Sequence, residues 1–131
     1  MPEAEKTEKI TINLGLIDLG QIDLLVQEGF YANRTDFLRT AVRSQLATHG
    51  SVLQRTVERK TMVLGLENYT RQQLEEVRAA GRRLQIRVLG LATIANDVSP
   101  ELALATIESV EVLGAFRASA AVKAALRDRI Q

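Results

Sequence analysis

Few residues of this chain could carry covalent chemistry. Among 131 residues there is no Cys and one His, His49. Thiol nucleophiles, disulfides and Cys-based zinc sites are excluded, and a Ser-His or Cys-His pair would have to use His49. That residue stands beside Gly50 at an expected helix end, a place typical of a surface side chain. Asp97 and Glu101 lie close together, but no other acid or His joins them. Complementarity to a helix N-terminus accounts for Glu101. No metal-ligand spacing and no phosphate-cradling glycine loop is present. The chemistry on offer is therefore recognition by hydrogen bonds and charge, with no catalytic group, metal or cofactor expected. Two places could supply it. Lys9, Thr11 and Asn13 alternate along one short segment. Arg82, Arg83 and Arg87 form the densest basic cluster of the C-terminal half, either a solvated strand and loop or an auxiliary phosphate contact.

The elements that would hold the first group follow from periodicity. Residues 9–14 read Lys-Ile-Thr-Ile-Asn-Leu. In an extended chain Ile10, Ile12 and Leu14 face one way, and Lys9, Thr11 and Asn13 the other. Gly15 ends the strand. Asp18 is expected to N-cap a first helix whose apolar stripe is Leu19, Ile22, Leu25 and Val26, and Gly29 stops it. Asn33 is expected to cap a second helix, with Asp36 reaching back to the Asn33 amide as in a capping box. Phe37, Leu38, Ala41, Val42 and Leu46 form the stripe of that helix.

A lone strand leaves its amides and carbonyls without partners, and no second strand is near in sequence. Two copies pairing their strands antiparallel about a two-fold axis resolve this. The apolar faces then pack on four helices, giving an obligate homodimer. The two-stranded ribbon shows Lys9, Thr11 and Asn13 twice, and a ribbon of that width fits the major groove of double-stranded DNA.

In this order and spacing, residues 8–47 resemble the ribbon-helix-helix superfamily that includes the CopG, Arc and MetJ types of repressor. The matching features are Lys9-Ile-Thr-Ile-Asn-Leu14 and the turn and helix start Glu28-Gly29-Phe30-Tyr31-Ala32-Asn33-Arg34-Thr35-Asp36-Phe37-Leu38-Arg39. The resemblance implies that Lys9, Thr11 and Asn13 read bases. It also implies that Asn33, Arg34 and Thr35 sit where the second helix grips a phosphate. Ile10, Ile12, Leu14, Ile22, Phe37, Leu38 and Val42 would form the dimer core. The sequence departs from the family where Pro-Glu-Glu often follows the strand, having Gly15-Leu16-Ile17-Asp18 instead. Gly20 also falls inside the first helix, where glycine costs about 1 kcal/mol relative to Ala.

The remainder has its own pattern. Val52, Leu53, Thr56 and Val57 suggest a further short amphipathic helix, a linker or an addition to the dimer interface. Val63-Leu64-Gly65-Leu66 recurs as Val88-Leu89-Gly90-Leu91 and as Val112-Leu113-Gly114-Ala115, at offsets of 25 and 24 residues. Each is followed by a capped helix pattern: Thr70 and Gln73 before Leu74 and Val77; Ser99-Pro100-Glu101 before Leu102 and Ala105; Ser119 before Val122, Ala125 and Leu126. Alternation in 84–88 and 110–112 marks strands. A strand-helix unit of this period is that of leucine-rich and related solenoids. It predicts a small parallel sheet with helices on one side and open edges on its end strands.

The expected fold is thus α+β. A tail over 1–8 precedes a ribbon-helix-helix module over 9–50 and a linker helix over 51–61. A strand-helix repeat domain follows over 62–131, serving higher oligomerisation or docking a protein partner. Apolar residues are 46% of the chain, enough for a core, and aromatics only 4%. No apolar run is long enough for a membrane span and the N-terminus has no signal-peptide core, so a cytoplasmic protein is expected. Residues 1–50 carry five Lys/Arg and seven Asp/Glu, a net of −2; residues 51–131 carry twelve and nine, a net of +3. Neither half is strongly basic, so DNA contact must come from a local patch. The functional expectation is a sequence-specific transcriptional regulator acting as a repressor. The alternatives are an antitoxin whose C-terminal segment clasps a toxin, and a scaffold that uses the ribbon only to dimerise.

Overall fold

The computed structural model describes residues 6–131, so residues 1–5 of the expected tail lie outside it. The chain divides into two compact units, one of Thr7–Arg55 and one built on residues 56–131. The division falls inside a helix.

The first unit holds helices α1 (Leu16–Gln27) and α2 (Arg34–Thr48), and the start of α3 (Gly50–Lys60). Residues 9–14 belong to no helix or sheet within the single chain. The strand expected there requires a second strand to bond with. The N-cap of α1 is Gly15, not Asp18. The chain turns helical directly after the extended segment, so Asp18 becomes part of the first turn, where its charge faces the orphan amides. The end of α1 is a Schellman motif: the Gly29 amide donates to the Val26 carbonyl at 3.1 Å, and the Phe30 amide to the Leu25 carbonyl at 3.0 Å. Asn33 caps α2 as expected, its Oδ1 accepting the Asp36 amide at 2.8 Å. Asp36 reaches back one residue further than expected, accepting the Ala32 amide at 3.0 Å rather than that of Asn33. The extended backbone of Asn33 carries Ala32, not Asn33, over the first turn.

The second unit is a parallel sheet in the order β1 (Val63–Tyr69), β2 (Leu84–Ile94), β3 (Ile107–Arg117). Between and after the strands come α4 (Arg71–Ala79), α5 (Pro100–Thr106), α6 (Ala120–Ala125) and a short 3₁₀ turn, Arg127–Arg129. The sequence repeat is the register of the sheet. Gly65 pairs with Gly90 and Gly90 with Gly114, and the flanking residues follow in step. The caps also stand where the repeat placed them. Thr70 and Gln73 form a reciprocal capping box. The hydroxyl oxygens of Ser99 and Ser119 accept the amides of Leu102 and Val122, and Pro100 opens α5.

The core of this unit joins one face of the sheet to the helices. Ile86, Val88, Ala92, Ile94, Ile107 and Val110 pack with Leu74, Leu102, Ala103, Val122 and Leu126. On α5 the inward residues are Leu102, Ala103 and Thr106, whereas Ala105, expected inside, is exposed. So short a helix turns only Leu102 and the residues one and four positions after it toward the sheet. The buried Thr106 hydroxyl donates to the Leu102 carbonyl at 2.7 Å, which removes the cost of burying it. The edge of β3 is not wholly open. Ile130 bridges to Val110, and the Gln131 amide donates to the Val110 carbonyl at 2.8 Å. Arg129 fixes this turn by donating to the carbonyls of Leu104 and Ile107 at 2.6 and 2.7 Å. Among the described residues no helix is long and apolar enough to cross a membrane.

Candidate nucleic-acid interface

Lys9, Thr11 and Asn13 are all exposed. So are the residues alternating with them: Ile10 is 84% and Ile12 65% accessible, and Leu14 is partly covered. Both faces of the segment therefore meet solvent in the single chain. Of the other residues expected in a dimer core, Ile22 is buried, Phe37 and Leu38 are half-buried, and Val42 is exposed. The Phe37 ring meets the edge of Tyr31 at 5.0 Å and 84°. This contact pins the turn between α1 and α2.

The start of α2 holds the three residues expected at a phosphate. The Asn33 side chain is engaged as the cap. The Arg34 and Thr35 amides, in the first turn, have no carbonyl one turn earlier in the helix to bond. Their position is the positive end of a 15-residue helix. The Arg34 side chain turns to Asp23 of α1, donating through Nε at 2.7 Å and Nη2 at 2.8 Å. This bidentate pair holds the Asp23 carboxyl below the usual carboxylate range, chiefly through the hydrogen bonds, and raises Arg34 correspondingly. Both groups are in solvent, so the pair orients Arg34 more than it stabilises the fold. Asp23 is not among the residues expected at this site. Its signal was a charge on α1 opposite in sign to Arg34, visible only once the two helices are folded together.

In the C-terminal basic cluster Arg82 and Arg83 are exposed. Arg87 donates through Nη1 to the Lys60 carbonyl at 3.1 Å, an anchor for the end of α3. Lys60 pairs with Glu111 at 3.0 Å. His49 is the exposed C-cap of α2.

A sequence model of the ribbon-helix-helix transcriptional regulator family matches residues 5–123. The chain belongs to that family, and the match runs from ahead of the extended segment 9–14 through all three strands of the C-terminal sheet. Searches of curated proteins and of solved structures returned no match.

Proposed function

We propose that this regulator works as a homodimer that reads double-stranded DNA through an antiparallel ribbon of two copies of residues 9–14. Lys9, Thr11 and Asn13 face the major groove: Lys9 donates to guanine O6 or N7, Asn13 pairs with adenine N6 and N7, and Thr11 touches a thymine methyl or a phosphate. The first amides of α2 hold a backbone phosphate on each side. Bound at a promoter, the dimer represses by occlusion. The observation that carries this reading is the alternation of segment 9–14, with apolar Ile10 and Ile12 in solvent on one face and three hydrogen-bonding side chains on the other. Burying that apolar face against the helices requires the second copy that also completes the ribbon.

Footprinting of the wild type on genomic fragments, followed by titration of K9A/N13A on the protected site, tests it. Affinity is expected to fall at least tenfold, at about 1–3 kcal/mol for each good base contact. Undiminished binding by the double variant excludes the ribbon as reader.

One observation favours a second reading, a scaffold that dimerises through the ribbon without binding DNA. Pairing Arg34 with Asp23 leaves Lys9 as the only cation without an ion pair among the six proposed contact residues, counting the described residues. Absence of any DNA complex at low salt, with dimerisation intact, would decide for it.

A further inference from the structure

Gly65, Gly90 and Gly114 share one unusual backbone shape, with φ of +134°, +140° and +117°. For two of them the neighbour explains the residue. A Cβ on Gly90 would collide with the carbonyl oxygen of Gly65, and one on Gly114 with that of Gly90. Each glycine therefore receives the carbonyl of the preceding strand where its own side chain would be. Gly65 is built the same way, yet nothing lies within 4 Å of its Cβ position. At the far edge, the Gly114 carbonyl belongs to the last glycine of the column. The column is thus ready to receive at one edge and to donate at the other.

The side chains agree. Leu64, Leu89 and Leu113 form one row across the sheet, and Leu66, Leu91 and Ala115 the next. None of them belongs to the helix-side core. Leu64 is 72% and Leu113 53% accessible. Residues 63–66 of β1 carry no charge, the feature with which exposed edges commonly repel a second strand. On β3, Ile130 takes only the rung at Val110, and residues 111–117 pair with no further strand among the described residues.

We propose that the C-terminal sheets of neighbouring copies join end to end. The β1 edge of one copy receives the β3 edge of another in parallel register, Gly65 opposite Gly114 and Leu64 opposite Leu113. A join between two different edges leaves a free edge at each end, so in the proposed dimer it extends from dimer to dimer, as an open array or a closed ring. It is independent of whether the ribbon reads DNA.

The test uses the full chain without DNA, in sedimentation velocity over a range of concentrations. The wild type is expected to grow beyond the mass of two chains as concentration rises. L64K and L113K each spoil one side of the join and are expected to remain at two chains. Mixing the two variants is expected to restore growth, because each supplies the edge the other lacks. A wild type that stays at two chains overturns the proposal. So does L113K assembling normally, which would mean β1 edges pairing with each other. Loss in both variants without recovery on mixing also overturns it, since that is the behaviour of sheets stacked face to face. A second variant avoids the added charges. L64C/L113C places its two thiols two strands apart within a chain, about 9–10 Å, too far to bridge. Across the join they are adjacent, so oxidation is expected to give a ladder of linked copies; its absence sinks the idea.

Discussion

The two units solve the same problem differently. The C-terminal unit buries a dozen side chains between its sheet and its helices. In the N-terminal unit Ile22 is the one buried residue among those described, while Ile10, Ile12, Leu16, Ile17, Leu24, Val42 and Leu46 remain exposed. Composition does not distinguish them, since both are rich in Ile, Leu and Val. The difference is that three strands with intervening helices close a core within one chain, whereas two helices and an unpaired extended segment supply half of one. A family whose members regulate transcription as dimers is consistent with the second case. Under the dimer proposed above, folding and pairing there would be one event, and the apolar surface exposed in a single chain would be the surface the second copy covers.

The sharpest way to break this contrast is I10A/I12A. If the segment is buried in a dimer, each truncation costs about 2–5 kcal/mol, and sedimentation equilibrium should show dissociation by several orders of magnitude. If the segment stays in solvent, surface substitutions of this kind stay within about 0.5 kcal/mol, and the contrast fails. Circular dichroism should show the C-terminal sheet intact in either case.

G90V addresses the other unit. The new side chain meets the Gly65 carbonyl and is held at a φ that only glycine adopts readily. A loss of about 3 kcal/mol or more is expected, seen as a lower thermal midpoint for the C-terminal transition with dimerisation unaffected. A midpoint equal to wild type would mean that the glycine column is not a packing constraint.

Caps offer an even-handed comparison. N33A and S99A each remove a side chain accepting an amide, at 2.8 and 3.1 Å respectively. Each is expected to cost about 1 kcal/mol. N33A should raise the dissociation constant of the dimer, and S99A should leave it unchanged. Denaturant titration at several protein concentrations separates the two.

The smallest effects concern ionisation. Asp23 is shifted down by its Arg34 partner, so its contribution is present above the ordinary Asp range and is lost as pH falls through the depressed value. Carboxyl carbon NMR should find Asp23 titrating below the ordinary Asp range, and R34A should return it upward. Tyr69 is shifted the other way, raised above 10.0 first by burial and then by Glu67. The unfolded chain ionises first, so this contribution is full below pH 10.0 and declines as pH rises through the raised value. Absorbance titration of the phenols should lose a late-titrating component in Y69F.

Much of the molecule was legible in one dimension because its determinants are local or periodic. A recurrence of Val-Leu-Gly-Leu at nearly constant spacing fixes a parallel register, since each strand-helix unit spends the same number of residues returning to the next rung. Ser, Thr or Asn ahead of a helical stripe caps it through an amide three residues on, so Asn33, Thr70, Ser99 and Ser119 were readable without coordinates. What needed three dimensions was every partnership between residues remote in sequence. Arg34 takes Asp23, Arg87 takes the Lys60 carbonyl, and Arg129 ties the carbonyls of α5 and β3. The sequence placed Arg34 at a phosphate and Arg87 in solvent or at a phosphate, and gave no role to Arg129. Which acceptor each one meets depends on how two surfaces come together, a property of packing that the order of residues does not display.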